Sequence, residues 1–226
     1  MNINGRECHI YENGDAEYVL LQPVDDNDIG VLDSEVQKIS ELTDASFILV
    51  AFKINDWNSE LTPWDAPAVF GNHDFGHGAE ATLDFLQNEL LPAIIEKYDV
   101  GKIPVILGGY SLVAFFALWV SYQSHEFSAV ASASPSVWYP GWIDYASDHK
   151  PHAKKVYLSL GDREEKTRNK VMSTVGDCIR KQYEILKRQL GDEHCTLEWN
   201  RGNHFVDSDL RCAKAFAWCM NDERRY

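Results

Sequence analysis

Ser111 sits in Gly108-Gly109-Tyr110-Ser111-Leu112, between a buried apolar run at residues 102–108 and small and apolar residues at 112–122 that read as a helix. A tight strand–turn–helix bend at this point would lift its hydroxyl above a sheet. The same bend would set the Leu112 amide at the positive end of the helix, where an oxyanion is stabilised. The competing reading is an ordinary helix-capping serine in a glycine-rich turn. A base is offered by His204, in Gly202-Asn203-His204-Phe205 between the last strand and the final helix. Neutral imidazole there would take the serine proton and return it to a leaving group. Nucleophiles of this type are followed along the chain by an acid and then a histidine, and of the eight histidines only His204 has that position.

The acid should follow the strand at residues 156–160, where the chain reads Gly161-Asp162-Arg163-Glu164-Glu165. It would hold the imidazole tautomer and stabilise imidazolium. Asp162, Glu164 and Glu165 all qualify. Glu164, three residues after the glycine, ranks first and Asp162 is the alternative. At most one of them serves, and the rest form a solvated charge cluster.

The elements that must position these groups alternate. Residues 17–23, 46–54, 102–108, 127–133, 156–160 and 196–199 are short apolar runs that read as strands. Helical spacing marks 33–42, with Asp33 or Ser34 as cap and Val36, Ile39 and Leu42 inward. It also marks 79–98, which Pro92 should interrupt, and then 173–190 and 207–220. The alternation predicts one α/β domain over residues 1–226, its mostly parallel sheet covered by helices on both faces and its site at the carboxyl ends of the strands.

Composition narrows the function classes. At 226 residues and 45% hydrophobic content the chain suits a folded globular domain, able to bury roughly 70% of its unfolded surface. A net charge of −14, spread along the chain, opposes binding to nucleic acid or anionic lipid. Lys154-Lys155 and Arg224-Arg225 are too short to be nucleic-acid patches. The five cysteines form no CxxC pair and read as free thiols of a reducing compartment. With no secretory or membrane-spanning run, a cytoplasmic location is expected. His73 and His77 are four apart, but the glycines at 71, 76 and 78 oppose a helix and no third ligand stands nearby, so no metal site is expected. Trp57 and Trp64 follow one strand, while Trp138, Tyr139 and Trp142 follow another. They would either line a pocket or anchor their loops.

With these pieces in place the chain resembles the Putative esterase branch of the α/β-hydrolases, the branch of esterase D-like, feruloyl-esterase-like and siderophore-esterase-like enzymes. The resemblance runs from about Ser46 to the C-terminus. It rests on Asp56-Trp57-Asn58, Leu61-Thr62-Pro63-Trp64, Gly109-Tyr110-Ser111-Leu112, Ser134-Pro135-Ser136-Val137-Trp138, Ser159-Leu160-Gly161-Asp162 and Gly202-Asn203-His204. It implies hydrolysis of a small-molecule carboxylic ester through an acyl-enzyme, with Ser111 and His204 as nucleophile and base and no cofactor. It also implies that the loop after Phe52 gives a second oxyanion-hole amide, from Lys53 or Ile54. The departure is Val113-Ala114, where relatives carry smaller residues. A β-branched residue behind the nucleophile would crowd the helix against its strand. Two other readings use the same residues: a binding module that has lost turnover, and an acyltransferase that intercepts the acyl-enzyme with an alcohol. The sequence leaves the oligomeric state open.

Overall fold

The computed structural model describes residues 1–221. It opens with strands β1 (Asn2–Ile3) and β2 (Arg6–Asn13), joined through Asn4 and Gly5, both at positive φ. An Asn-Gly pair is the sequence signal for such a hairpin. This hairpin was missing from the expected strands.

The next elements are β3 (Tyr18–Val24), α1 (Asp26–Ile29), α2 (Leu32–Leu42) and β4 (Phe47–Lys53). The expected cap of α2 is corrected. Val31 takes the cap position, while Asp33 accepts from the Tyr11 hydroxyl at 2.8 Å and Ser34 donates to Asp209 at 2.8 Å. Both side chains are spent on neighbours rather than on the helix end. The buried residues of α2 are Leu32, Glu35 and Ile39, whereas Leu42 is exposed.

After α3 (Trp57–Glu60) come α4 (Ala79–Phe85), a π-helical turn (Leu86–Leu90) and α5 (Leu91–Tyr98). Pro92 stands in the first turn of α5, where its missing N–H is tolerated, and the wider turn before it makes the interruption that proline demands. The chain continues through β5 (Val105–Tyr110), α6 (Leu112–Ser121), β6 (Phe127–Ala133), α7 (Trp142–Asp148) and β7 (Lys155–Gly161). It ends with α8 (Val175–Leu190), β8 (Cys195–Asn200) and α9 (Ser208–Met220).

The sheet order is β1-β2-β4-β3-β5-β6-β7-β8, with β3 through β8 parallel and β2 antiparallel to β4. Strand alternation splits the apolar residues between two layers. Ile48, Val50 and Phe52 face a core shared with α4–α8. Phe47, Leu49 and Ala51 face the core that holds α9 and α2. Every residue of α6 is buried, so this helix has no solvent face. Burying each of its large apolar side chains contributes about 1.5–3 kcal/mol. From β4 the chain crosses over β3 to reach β5. That reversal of strand order opens a crevice beyond the carboxyl ends of the strands, and Ser111 follows β5 directly.

Candidate active site

At the end of β5 the backbone bends through Ser111 at φ 59°, ψ −117°, a conformation rare for a residue with a side chain. The bend is sustained on both sides: the Ser111 amide donates to Ala133 O at 3.1 Å, and the Ser111 carbonyl accepts from Ser136 at 3.2 Å. The hydroxyl caps nothing and instead meets His204 Nε2 at 2.9 Å. Val113 is accommodated. A Cβ on Gly109, itself at φ +147°, would stand 2.5 Å from Val113 Cγ1, so the valine occupies the space that glycine leaves.

The other imidazole nitrogen, His204 Nδ1, meets Glu164 Oε2 at 2.7 Å. Glu164 Oε1 accepts three more hydrogen bonds, from the Gly161 amide at 2.7 Å, Ser134 Oγ at 2.9 Å and Arg211 Nη1 at 2.8 Å. Burial pushes this carboxyl up, but the hydrogen bond and charge of His204, with the Gly161 and Ser134 donors, outweigh it and hold Glu164 below the usual range. Asp162 faces elsewhere: its Oδ1 accepts from the Gly202 amide at 2.8 Å and pins the loop that carries His204. Glu165 pairs with Arg180 at 3.2 Å. Of the three acids, only Glu164 touches the imidazole.

Sequence reasoning passed over Arg211, on α9 and fully buried. Its Nη1 also reaches Tyr110 Oη at 2.9 Å and Ser134 Oγ at 3.1 Å, and Nη2 donates to the carbonyls of Arg201 at 3.3 Å and Asn203 at 3.0 Å. The Tyr110 hydroxyl donates in turn to the His204 carbonyl at 3.0 Å. One guanidinium thus binds the acid, the residue before Ser111 and the histidine loop. The available signal was an arginine on the apolar face of a helix, since buried arginines are paired.

The Leu112 amide is the first of α6 and has no intrahelical acceptor. Lys53 and Ile54 are corrected as its partners. The strand beside β5 is β3, not β4, and the Ile54 amide donates to Val24 O at 2.9 Å. Successive amides of a strand point to opposite sides, so that of Lys53 faces β2, as does its carbonyl, which accepts from Arg6 at 3.4 Å.

A cavity of about 760 Å³ opens over Ser111 and His204, lined by Trp57 and Trp138 together with Phe70 and Phe205. Trp64, Tyr139 and Trp142 are not in its wall. Trp64 Nε1 donates to Pro140 O at 2.8 Å, Tyr139 Oη to Trp64 O at 2.5 Å, and Trp142 packs fully buried on Phe115 and Tyr122. These three anchor the two aromatic loops to each other and to the core. The missed lining residues Phe70 and Phe205 lie on polar loops, where no periodicity marks them.

Of the other candidates, His77 contacts Asp65 at 2.8 Å on the surface, and the His73 carbonyl accepts from Asn58 at 3.0 Å. Lys155 donates to the carbonyls of Trp218 and Asn221, whereas Arg224-Arg225 lie outside the described residues. All five cysteines are free thiols, with Cys178 partly exposed. No helix among the described residues is long and apolar enough to cross a membrane.

Residues 27–204 match the family described as "Putative esterase". The chain belongs to this family. The esterase is therefore a carboxylic ester hydrolase by class. No curated protein matches it significantly in sequence. Among solved structures it is similar in fold to an IroE-like serine hydrolase from Shewanella oneidensis, at TM-score 0.76 and 16% identity over 94% of this chain and 75% of that one. It is similar also to siderophore hydrolase EstB from Aspergillus nidulans, at TM-score 0.76 and 15% identity over 100% and 94% of the two chains. A feruloyl-type neighbour, a ferulic acid esterase, matches at TM-score 0.59 and 14% identity over 95% and 96%.

Proposed function

We propose that the esterase cleaves a small-molecule carboxylic ester through an acyl-enzyme on Ser111. As Ser111 Oγ attacks the ester carbonyl, His204 Nε2 takes its proton. The bond from carbonyl carbon to alcohol oxygen then breaks, and the same proton passes to the departing alcohol. Water, deprotonated by His204, next attacks the acyl group, which leaves as the acid while Ser111 regains its proton. Glu164 holds the tautomer in which Nδ1 carries hydrogen, and stabilises the imidazolium. The Leu112 amide faces the oxyanion, a donor type whose removal costs about 2.7–4 kcal/mol in a well-studied protease.

The observation that carries this reading is the unbroken chain from Ser111 Oγ through His204 to Glu164, at 2.9 and 2.7 Å. Free thiols suit a reducing compartment, and a cytoplasmic location belongs to the same proposal. A fluorophosphonate probe should label the wild type at Ser111 and leave Ser111→Ala unlabelled, and hydrolysis of p-nitrophenyl acetate should vanish with the label. Near wild-type turnover in folded Ser111→Ala would overturn the assignment. Failure to label folded wild type would favour a binding module, and acyl products in place of free acid would favour a transferase.

A further inference from the structure

The charge lining the cavity is opposite to that of the protein. The chain carries a net charge of −14, yet the cavity wall contains two cations, Arg163 and Lys166, and one acid, Glu164. That acid is buried and already accepts four hydrogen bonds from the protein. Both cations are exposed, and neither has an ion-pair partner among the described residues. Arg168 and Lys170, exposed on the same stretch, likewise have no ion pair, so what sets Arg163 and Lys166 apart is their place in the cavity wall.

The backbone beneath these two cations is well held. Arg163 caps the 3-10 turn Glu164–Lys166; its amide donates to Gly202 O at 3.1 Å, and the Lys166 amide donates to Arg163 O at 3.1 Å. The turn that aims Glu164 inward at His204 thereby aims its neighbours at the cavity. The same cavity is lined by the aromatic side chains of Trp57, Phe70 and Trp138. Such a wall takes an aromatic or other flat apolar body, and the cations take a negative group at its end.

We propose that the preferred substrate is an ester carrying an anionic group, of carboxylate type, on an apolar or aromatic body, with Arg163 and Lys166 selecting for that charge. This rests on the reading of the cavity as the site of ester cleavage. The net negative field of the protein would otherwise repel such a substrate, so the local cations also serve to admit it.

Isosteric pairs differing only in charge test the proposal. Monomethyl terephthalate against methyl 4-carbamoylbenzoate places the charge on the acyl side, and 4-acetoxybenzoate against 4-acetoxybenzamide places it on the alcohol side. In at least one pair kcat/KM should favour the anion by about tenfold at low salt, and the ratio should fall toward one in 0.5 M sodium chloride. The same ratio should collapse in R163A/K166A and invert in R163E/K166E. A ratio near one in both wild-type pairs, or a ratio that survives the double substitution, overturns the proposal. If no ester of either pair is cleaved, the hydrolytic reading is what fails. Calorimetric binding of monomethyl terephthalate and methyl 4-carbamoylbenzoate to Ser111→Ala then decides the charge preference by itself. Tighter binding of the anion supports it, and equal affinity overturns it.

Discussion

Two glutamates are buried near the nucleophile turn, and their surroundings shift them in opposite directions. Glu164, beyond β7, accepts four hydrogen bonds and is held below the usual carboxylate range. Glu35, on α2, has one long contact, with Gln22 Nε2 at 3.4 Å, and burial pushes it up to about 8. Its Oε1 and the Gln22 Oε1 are both buried without a partner. A protonated Glu35 gains a donor that an ionised one lacks, and the ionised form leaves buried carboxylate oxygen unsatisfied. Burial alone therefore does not set the state of a carboxyl; the number of donors aimed at it does. The site directs its donors at Glu164, whereas Glu35, behind the turn, has few and is pushed up by burial.

The largest expected effect comes from removing the charge at the well-supplied site. Glu164→Gln should lower kcat by about 10³–10⁴-fold, because an amide no longer enforces the imidazole tautomer. Asp162→Asn, which keeps an oxygen to accept from Gly202, should stay within about threefold. Steady-state kinetics on both variants reads the contrast, and equal losses would mean that Glu164 has no special standing.

Arg211→Met tests whether the donors are what keep Glu164 ionised. Removing one partner of a buried ion pair costs about 3–5 kcal/mol, here measured by urea unfolding, and turnover should fall with it. Unchanged stability would show that the remaining three donors suffice.

Glu35 should show the reverse dependence. Its pKa is higher folded, at about 8, than the ordinary 4.5, so the folded state retains a proton that the unfolded state releases. Its contribution to stability is thus complete below about pH 4.5 and is lost as pH rises toward 8. Glu35→Gln removes this loss. Unfolding free energies of the variant and wild type should diverge between pH 5 and pH 8, on the order of 3 kcal/mol in favour of the variant. Parallel pH profiles would mean that Glu35 is ionised in the native state.

The smallest effect lies where the two regions meet. A Cβ on Gly109 would touch both Val113 Cγ1 and Gln22 Cγ, so the nucleophile turn packs against Val113 and against the Gln22 of the Gln22–Glu35 pair. Val113→Ala should cost about 1.5 kcal/mol in thermal unfolding, for two buried methylene equivalents, and leave kcat within about threefold. A large rise in kcat instead would show that valine displaces the turn.

Much of the fold was legible because its signals are local. Strand residues 127–133 and the helix after Ser111 follow from apolar runs and small residues, and they appear almost to the residue. Alternating strands and helices predict a parallel sheet, and the family match and structural likeness agree with it. What went astray was non-local. The cap of α2 moved because Asp33 and Ser34 found tertiary partners. The aromatic set divided because Tyr139 and Trp142 turn into the core, while Phe70 and Phe205 enter the cavity from loops.

By itself the sequence determined which loops carry a serine, an acid cluster and a histidine, and in what order, since turns and periodicity are properties of neighbouring residues. Only the tertiary structure decided which acid reaches the imidazole. A 3-10 turn buries Glu164 under Arg211 from a distant helix and leaves Asp162 to hold the Gly202 backbone. It also decided that β3, rather than β4, lies beside the nucleophile strand, and so removed Lys53 and Ile54 from the oxyanion site. Strand order and the convergence of side chains from separate elements are set by how both faces of the sheet are covered, and no short window of residues contains that information.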